Sequence, residues 1–247
     1  MWTDVVDLRD FYASPLGQVA RRHVAAHLRA MWPDVAGQSV LGLGYAVPYL
    51  RPFKSQASRV LAMMPGPQGV MHWPPEGPNA TALVEEEGLP LPDMSIDRVL
   101  LIHALEHAES LRVLMREIWR VLSPAGRVLI VVPNRRGIWA RLDRTPFGHG
   151  HPYTAGQLSR LLRENLFVPQ QTRMGLFIPP LGGSLWLRTA KAWEGAGRRF
   201  FPALAGVAIV EATKTLYAPT PVKKRLLLRR PSWVPEGMRP IPSPRHQ

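Results

Sequence analysis

The chain has 247 residues, 46% of them hydrophobic and 20% charged, which suffices for one large domain with its own core and argues against disorder over most of its length. It has no cysteine, which removes disulfides, thiolate catalysis, zinc–cysteine centres and iron–sulfur clusters. Of the formal charge of +13, residues 1–171 carry +3 and residues 172–247 carry +10, so the basic character belongs to the last third of the chain.

In chain order, Met1–Asp7 is acidic and lacks the basic-then-apolar order of a secretory signal. No apolar run approaches the roughly 18 residues of a membrane-spanning helix, so the cytoplasm is the expected location. The pattern then predicts a helix over Val19–Met31, ended by Pro33, and buried strands over Ser39–Leu43 and Ser58–Met63. A short third strand is expected over Asn79–Val84, a fourth over Asp97–Ile102 and a fifth over Gly126–Val132, closed by Pro133. Leu111, Leu114, Met115, Ile118, Val121 and Leu122 fall at helical spacing between arginines. Ala155–Glu164 reads as another amphipathic helix with Thr154 as its N-cap, and Phe167–Met174 and Gly206–Leu216 as two further strands. This alternation predicts βαβ units and a parallel sheet.

Two segments stand apart. Residues 176–202 interleave Phe177, Trp186, Trp193 and Phe200 with arginines and a lysine. They read as a helical insertion packed over the sheet, or as a face for an apolar acceptor, a membrane surface or a partner protein. Residues 218–247 combine a dense group of prolines with Lys223, Lys224, Arg225, Arg229 and Arg230, and read as an extended basic tail. An acidic partner is expected for that tail: anionic lipid, RNA or an acidic protein surface.

The stretch Leu89–His107, with Asp97-Arg98-Val99-Leu100-Leu101-Ile102-His103-Ala104-Leu105-Glu106-His107 at its core, resembles the fourth-strand signature of class I S-adenosylmethionine-dependent methyltransferases, type 11 branch. Leu114–Pro133 is similar to the helix and strand that follow it in that family, and the resemblance spans about residues 38–170. It implies one doubly wound α/β domain over residues 1–217 with a mostly parallel, seven-stranded, Rossmann-like sheet, binding S-adenosylmethionine and methylating an acceptor. A catalytically inactive relative that serves as a binding or assembly protein is the alternative. Ligands of such sheets lie outside the carboxyl ends of the strands, where the strand order reverses. By position, Gly42, Gly44, Ala46, Met64, Glu85, Ile102 and His103 would line the cofactor site.

The residues depart from the family pattern at that site. Gly44 matches the first glycine of its glycine-rich turn, Ala46 and Pro48 stand at the next two, and Gly42 replaces the acid before it. Ala46 is a mild change if its φ is negative, and Pro48 suits the start of a helix. Met64 stands where the family has its ribose-binding acid, and Glu85 about where an acid meets the adenine. Tyr12 lies in a stretch, Phe11–Gly17, that resembles the N-terminal lid of related enzymes, where an aromatic residue covers the cofactor; simple packing of Tyr12 is the alternative.

Histidines supply the remaining candidates. His149 and His151 precede the Ala155 helix and are the candidate general bases, with a structural loop as the alternative. His103 and His107 are four apart, but the family carries this Leu-Glu-His motif without metal and no third ligand is evident, so no metal is expected. His103 is expected to line the pocket and His107 to fix the loop.

Overall fold

A computed structural model describes residues 4–181 and 189–215. The tail over 218–247, the last residue of the expected closing strand and part of the 176–202 insertion lie outside the described residues.

Helix α1 (Val5–Ala13) starts at Asp4, whose carboxylate accepts from the Val6 amide. Ser14 closes it and caps α2 (Pro15–Met31) by accepting from Gly17 N, with Pro15 at the first position, where no N–H is needed. The seven strands are β1 (Ser39–Gly44), β2 (Arg59–Pro65), β3 (Thr81–Val84), β4 (Ile96–Ile102), β5 (Leu122–Pro133), β6 (Phe167–Gly175) and β7 (Val207–Lys214). A one-turn α3 (Val47–Leu50) follows β1, and α4 (Leu111–Val121) joins β4 to β5. Helix α5 (Ala155–Glu164) carries the capping box of Thr154 and Gln157 at its start. Within the insertion, Ala190–Phe200 forms α6.

The sheet order is β3-β2-β1-β4-β5-β7-β6; all pairs are parallel except those made by β7. The order reverses between β1 and β4, so the crevice outside their carboxyl ends is the natural ligand site. Along β4, Val99 and Leu101 face one core with α4 and α5, while Leu100 and Ile102 face the other with α1 and α2. Both faces being covered explains why the strands read as continuous apolar runs.

The expected elements are present, with shifted ends. β5 begins at Leu122 rather than Gly126, because Leu122 pairs with Ile96 ahead of a register shift in the β4–β5 ladder. β3 is confined to four residues by the Asn79 side chain, which accepts from the Trp73 and Thr81 amides and holds the chain in a turn. α2 starts four residues before Val19 because the Ser14-Pro15 cap lies there. Among the described residues no helix is long and apolar enough to cross a membrane.

Candidate cofactor site

The turn after β1 is built for close approach. Gly44 has φ +77°, and a Cβ there would fall 2.4 Å from Ile102 O and 2.8 Å from Ala104 Cβ, so only glycine lets β1 end against β4. At Gly42 a Cβ would fall 2.6 Å from Leu50 of α3. Ala46 has φ −86°, where alanine is unstrained, and Pro48 sits in the first turn of α3.

At the end of β4, His103 adopts φ +52°. Its carbonyl accepts from Gln68 Nε2 at 3.0 Å. Its Nε2 lies 2.9 Å from Tyr12 Oη, which also accepts from the Tyr49 hydroxyl at 3.1 Å. Tyr12 stacks on Tyr45 at 5.7 Å, and the Phe147 ring packs 4.9 Å from the imidazole. Burial pushes the Tyr12 and Tyr49 phenols up and raises that of Tyr45 to about 12, so the three phenols keep their protons at neutral pH. Tyr12, from α1, thus reaches between the glycine turn and the end of β4.

The other predicted residues are dispersed around this centre. Ile102 is buried beneath it as the last residue of β4. Met64 is fully buried, in the same apolar cluster as Tyr12, Tyr45 and Trp73. Glu85 is exposed and bridges to Gly88; a Cβ on Gly66 would meet its carboxylate at 3.3 Å, which places it beside the end of β2. His149 is half-buried with Nε2 3.0 Å from Asp143 O, and His151 is exposed with its amide on Glu106 O at 2.8 Å. His107 packs against Gly150, where a Cβ would fall 2.9 Å from its ring. Burial holds the His107 pKa below the ordinary imidazole value.

Four residues of the centre escaped sequence reasoning: Tyr45, Tyr49, Gln68 and Glu106. The signals were weak but present, a tyrosine pair four apart after the turn and a carboxylate three residues beyond His103.

An open cleft of about 250 Å³ adjoins Tyr12 and Tyr45 and is lined by Arg9, Arg21 and Arg51. The larger cleft, about 660 Å³, lies between α4 and α5 against Trp119 and Leu161.

Residues 41–130 match the family model described as a methyltransferase domain. The matched stretch, which runs from β1 into β5, is that of a methyltransferase domain of the type 11 branch. Similar solved structures include a chain from the Haloferax volcanii complex of the Trm112 methyltransferase activator with a methyltransferase, at 15% identity and TM-score 0.61, covering 87% of this chain and 96% of that one. Another is an S-adenosylmethionine-dependent methyltransferase from Mesorhizobium loti, at 17% and 0.55, covering 76% and 96%. A third is the Burkholderia thailandensis 1,6-didemethyltoxoflavin-N1-methyltransferase with bound S-adenosylhomocysteine, at 19% and 0.52, covering 85% and 83%. At such identities the likeness speaks for the fold. No curated protein matches the sequence.

S-adenosylmethionine is the cofactor that goes with this methyltransferase domain. The backbone cradle fits it: the Gly44 turn and the Ile102–His103 strand end sit where such sheets hold a nucleoside. Tyr12, hydrogen-bonded to His103, stands between the glycine turn and the end of β4, and Met64, a buried thioether, offers the ribose no charged acceptor.

Proposed function

We propose that the chain transfers a methyl group from S-adenosylmethionine to an acceptor, and that α1 must withdraw Tyr12 from the crevice to admit the cofactor. The observation that carries this reading is the Gly44 turn, whose φ of +77° and contact with the β4 end make a backbone cradle at the strand-order reversal. The bound cofactor supplies an activated methyl group. The chain's part is to align the acceptor with it, a task that requires no single catalytic residue. His149 and His151 remain candidate bases; both lie in the loop that packs on the end of β4 through Phe147. Tyr12 holds the crevice closed through hydrogen bonds to His103 and with Tyr49, each worth about 0.5–1.5 kcal/mol net.

A second reading, an inactive binding or assembly protein, is favoured by Met64, which puts a fully buried thioether where a ribose acceptor would serve.

Calorimetry of the full chain and of Tyr12→Ala with S-adenosylmethionine and S-adenosylhomocysteine decides between them. The enzyme reading expects binding to both proteins, roughly 5–100-fold tighter to Tyr12→Ala once those bonds no longer oppose opening. No binding to either protein, with both shown to be folded by thermal unfolding, would leave the binding-protein reading.

A further inference from the structure

We propose that His103, Glu106 and His107 form a binding site for one divalent transition-metal ion. The site shares His103 with the crevice, but metal uptake is read without S-adenosylmethionine; it departs from the sequence expectation of no metal because the buried Glu106 offers the third ligand.

Three potential ligand atoms, one from each residue, lie within 4.8 Å of one another. His103 and Glu106 are each only 1% exposed, and His107 at the rim is half-buried, which leaves an access path. Four polar atoms here are buried and make no hydrogen bond: His103 Nδ1, both carboxylate oxygens of Glu106, and His107 Nε2. Buried polar atoms are nearly always paired, and an unpaired group calls for a water, an ion or a functional account.

A histidine–glutamate ion pair explains only part of this. His103 Nδ1 lies 3.3 Å from Glu106 Oε1, but not in a direction that makes a hydrogen bond. Glu106 Oε2 and His107 Nε2 would still have no partner. A cation between the three residues would take one donor atom from each and neutralise a carboxylate that water barely reaches.

The donor set selects the ion. Two imidazoles and one carboxylate suit zinc, cobalt, nickel or iron(II), and do not suit calcium or magnesium, which take oxygen ligands. His103 would coordinate through Nδ1, because Nε2 faces Tyr12. Nε2 then carries the proton and donates to Tyr12 Oη, the outer hydrogen bond that orients a metal-bound imidazole. Without metal, the pair to Glu106 favours the opposite tautomer, with the proton on Nδ1 and Tyr12 donating to Nε2. Metal binding therefore moves the His103 proton from one nitrogen to the other.

The test titrates cobalt(II) and zinc(II) into the full-length protein after chelator treatment. One cobalt per chain with visible ligand-field bands is expected. Glu106→Gln should weaken uptake by more than the roughly 10–100-fold that outer-sphere changes cost, and His107→Asn should do the same. No uptake by the wild-type chain at millimolar free metal overturns the proposal, and so does unchanged uptake by a folded Glu106→Gln protein. Should either variant fail to fold, nitrogen-15 spectra of the wild-type imidazoles decide. Zinc should shift His103 and His107 alone among the eight histidines and move the His103 proton to Nε2; shifts confined to other histidines overturn the site.

Discussion

Two glutamates lie buried in this domain, and their surroundings could hardly differ more. Glu211, in β7, accepts from Trp32 Nε1 at 2.9 Å and pairs with Arg127 at 3.2 Å. Glu106, just past the end of β4, is as deeply buried and makes no hydrogen bond with either oxygen. Glu211 sits within the sheet, where packing fixes its partners and its charge is met by a cation. Glu106 sits at the crevice, beside His103 and His107 and near Tyr12. The contrast separates a charge that serves the fold from one that the fold alone does not explain, and buried ionisable groups of the second kind are where function is sought.

The severest test of that contrast is to create a buried carboxylate with no partner at all. Met64→Asp does so: position 64 is fully buried in the apolar cluster of Tyr12, Tyr45 and Trp73. Truncating such a core methionine costs about 2–5 kcal/mol, and the unpaired charge adds to it. Denaturant unfolding should show this loss. Unchanged stability would mean that water reaches the end of β2, and the burial argument for Glu106 would weaken with it. The sequence alone makes the same substitution look like a repair, since an acid there would serve a ribose; the packing turns it into a lesion.

Next in size is a pair of substitutions expected to differ. Glu211→Ala leaves the Trp32 indole N–H unpartnered and should cost about 1–3 kcal/mol. Arg127 adds little, because its side chain is 43% exposed and rehydrates. Glu106→Gln, measured in chelator, should instead cost nothing or gain up to about 1 kcal/mol, because the carboxylate makes no hydrogen bond and meets His103 Nδ1 only at 3.3 Å. With zinc present Glu106→Gln should fall below the wild type, because the variant loses the metal's stabilisation. Equal losses for both variants in chelator would erase the distinction between the two glutamates.

Much of this architecture was legible in the sequence. The strands announced themselves as apolar runs because both sheet faces are covered, and the His103–His107 motif marked the end of β4. The contents of the crevice were not legible. Tyr12, Tyr45, Tyr49 and Gln68 come from three separate segments, and nothing local in any of them signals that they meet at His103. Nor does spacing reveal that Glu106, three residues beyond the left-handed step at His103, is buried. A glycine after β1 is visible in the sequence, but the need for glycine at position 44 comes from the β4 carbonyl at Ile102, a partner 58 residues away in the chain.

The smallest expected effect comes from a third glutamate, one that has partners yet sits near the surface. Glu117 accepts from Arg120 at 2.9 and 2.7 Å and from the Leu89 amide at 2.9 Å, and Arg120 also holds Asp93. The Arg120 hydrogen bond holds the Glu117 carboxyl below the ordinary range despite some desolvation. A depressed folded-state pKa contributes stability above the unfolded value of about 4.3, and that contribution is lost as the pH falls through the lower folded value. The Arg120 side chain is 31% exposed, so screening limits the effect to at most about 1 kcal/mol. Stability should therefore fall slightly more steeply with acid in the wild type than in Glu117→Gln, the two curves separating above pH 4 and converging below the folded pKa. Parallel curves across that window would show that solvent screens the Arg120 pair completely. Partnering would then matter for stability only where water is excluded, as at Glu211, and the absence of hydrogen bonds at Glu106 would weigh all the more.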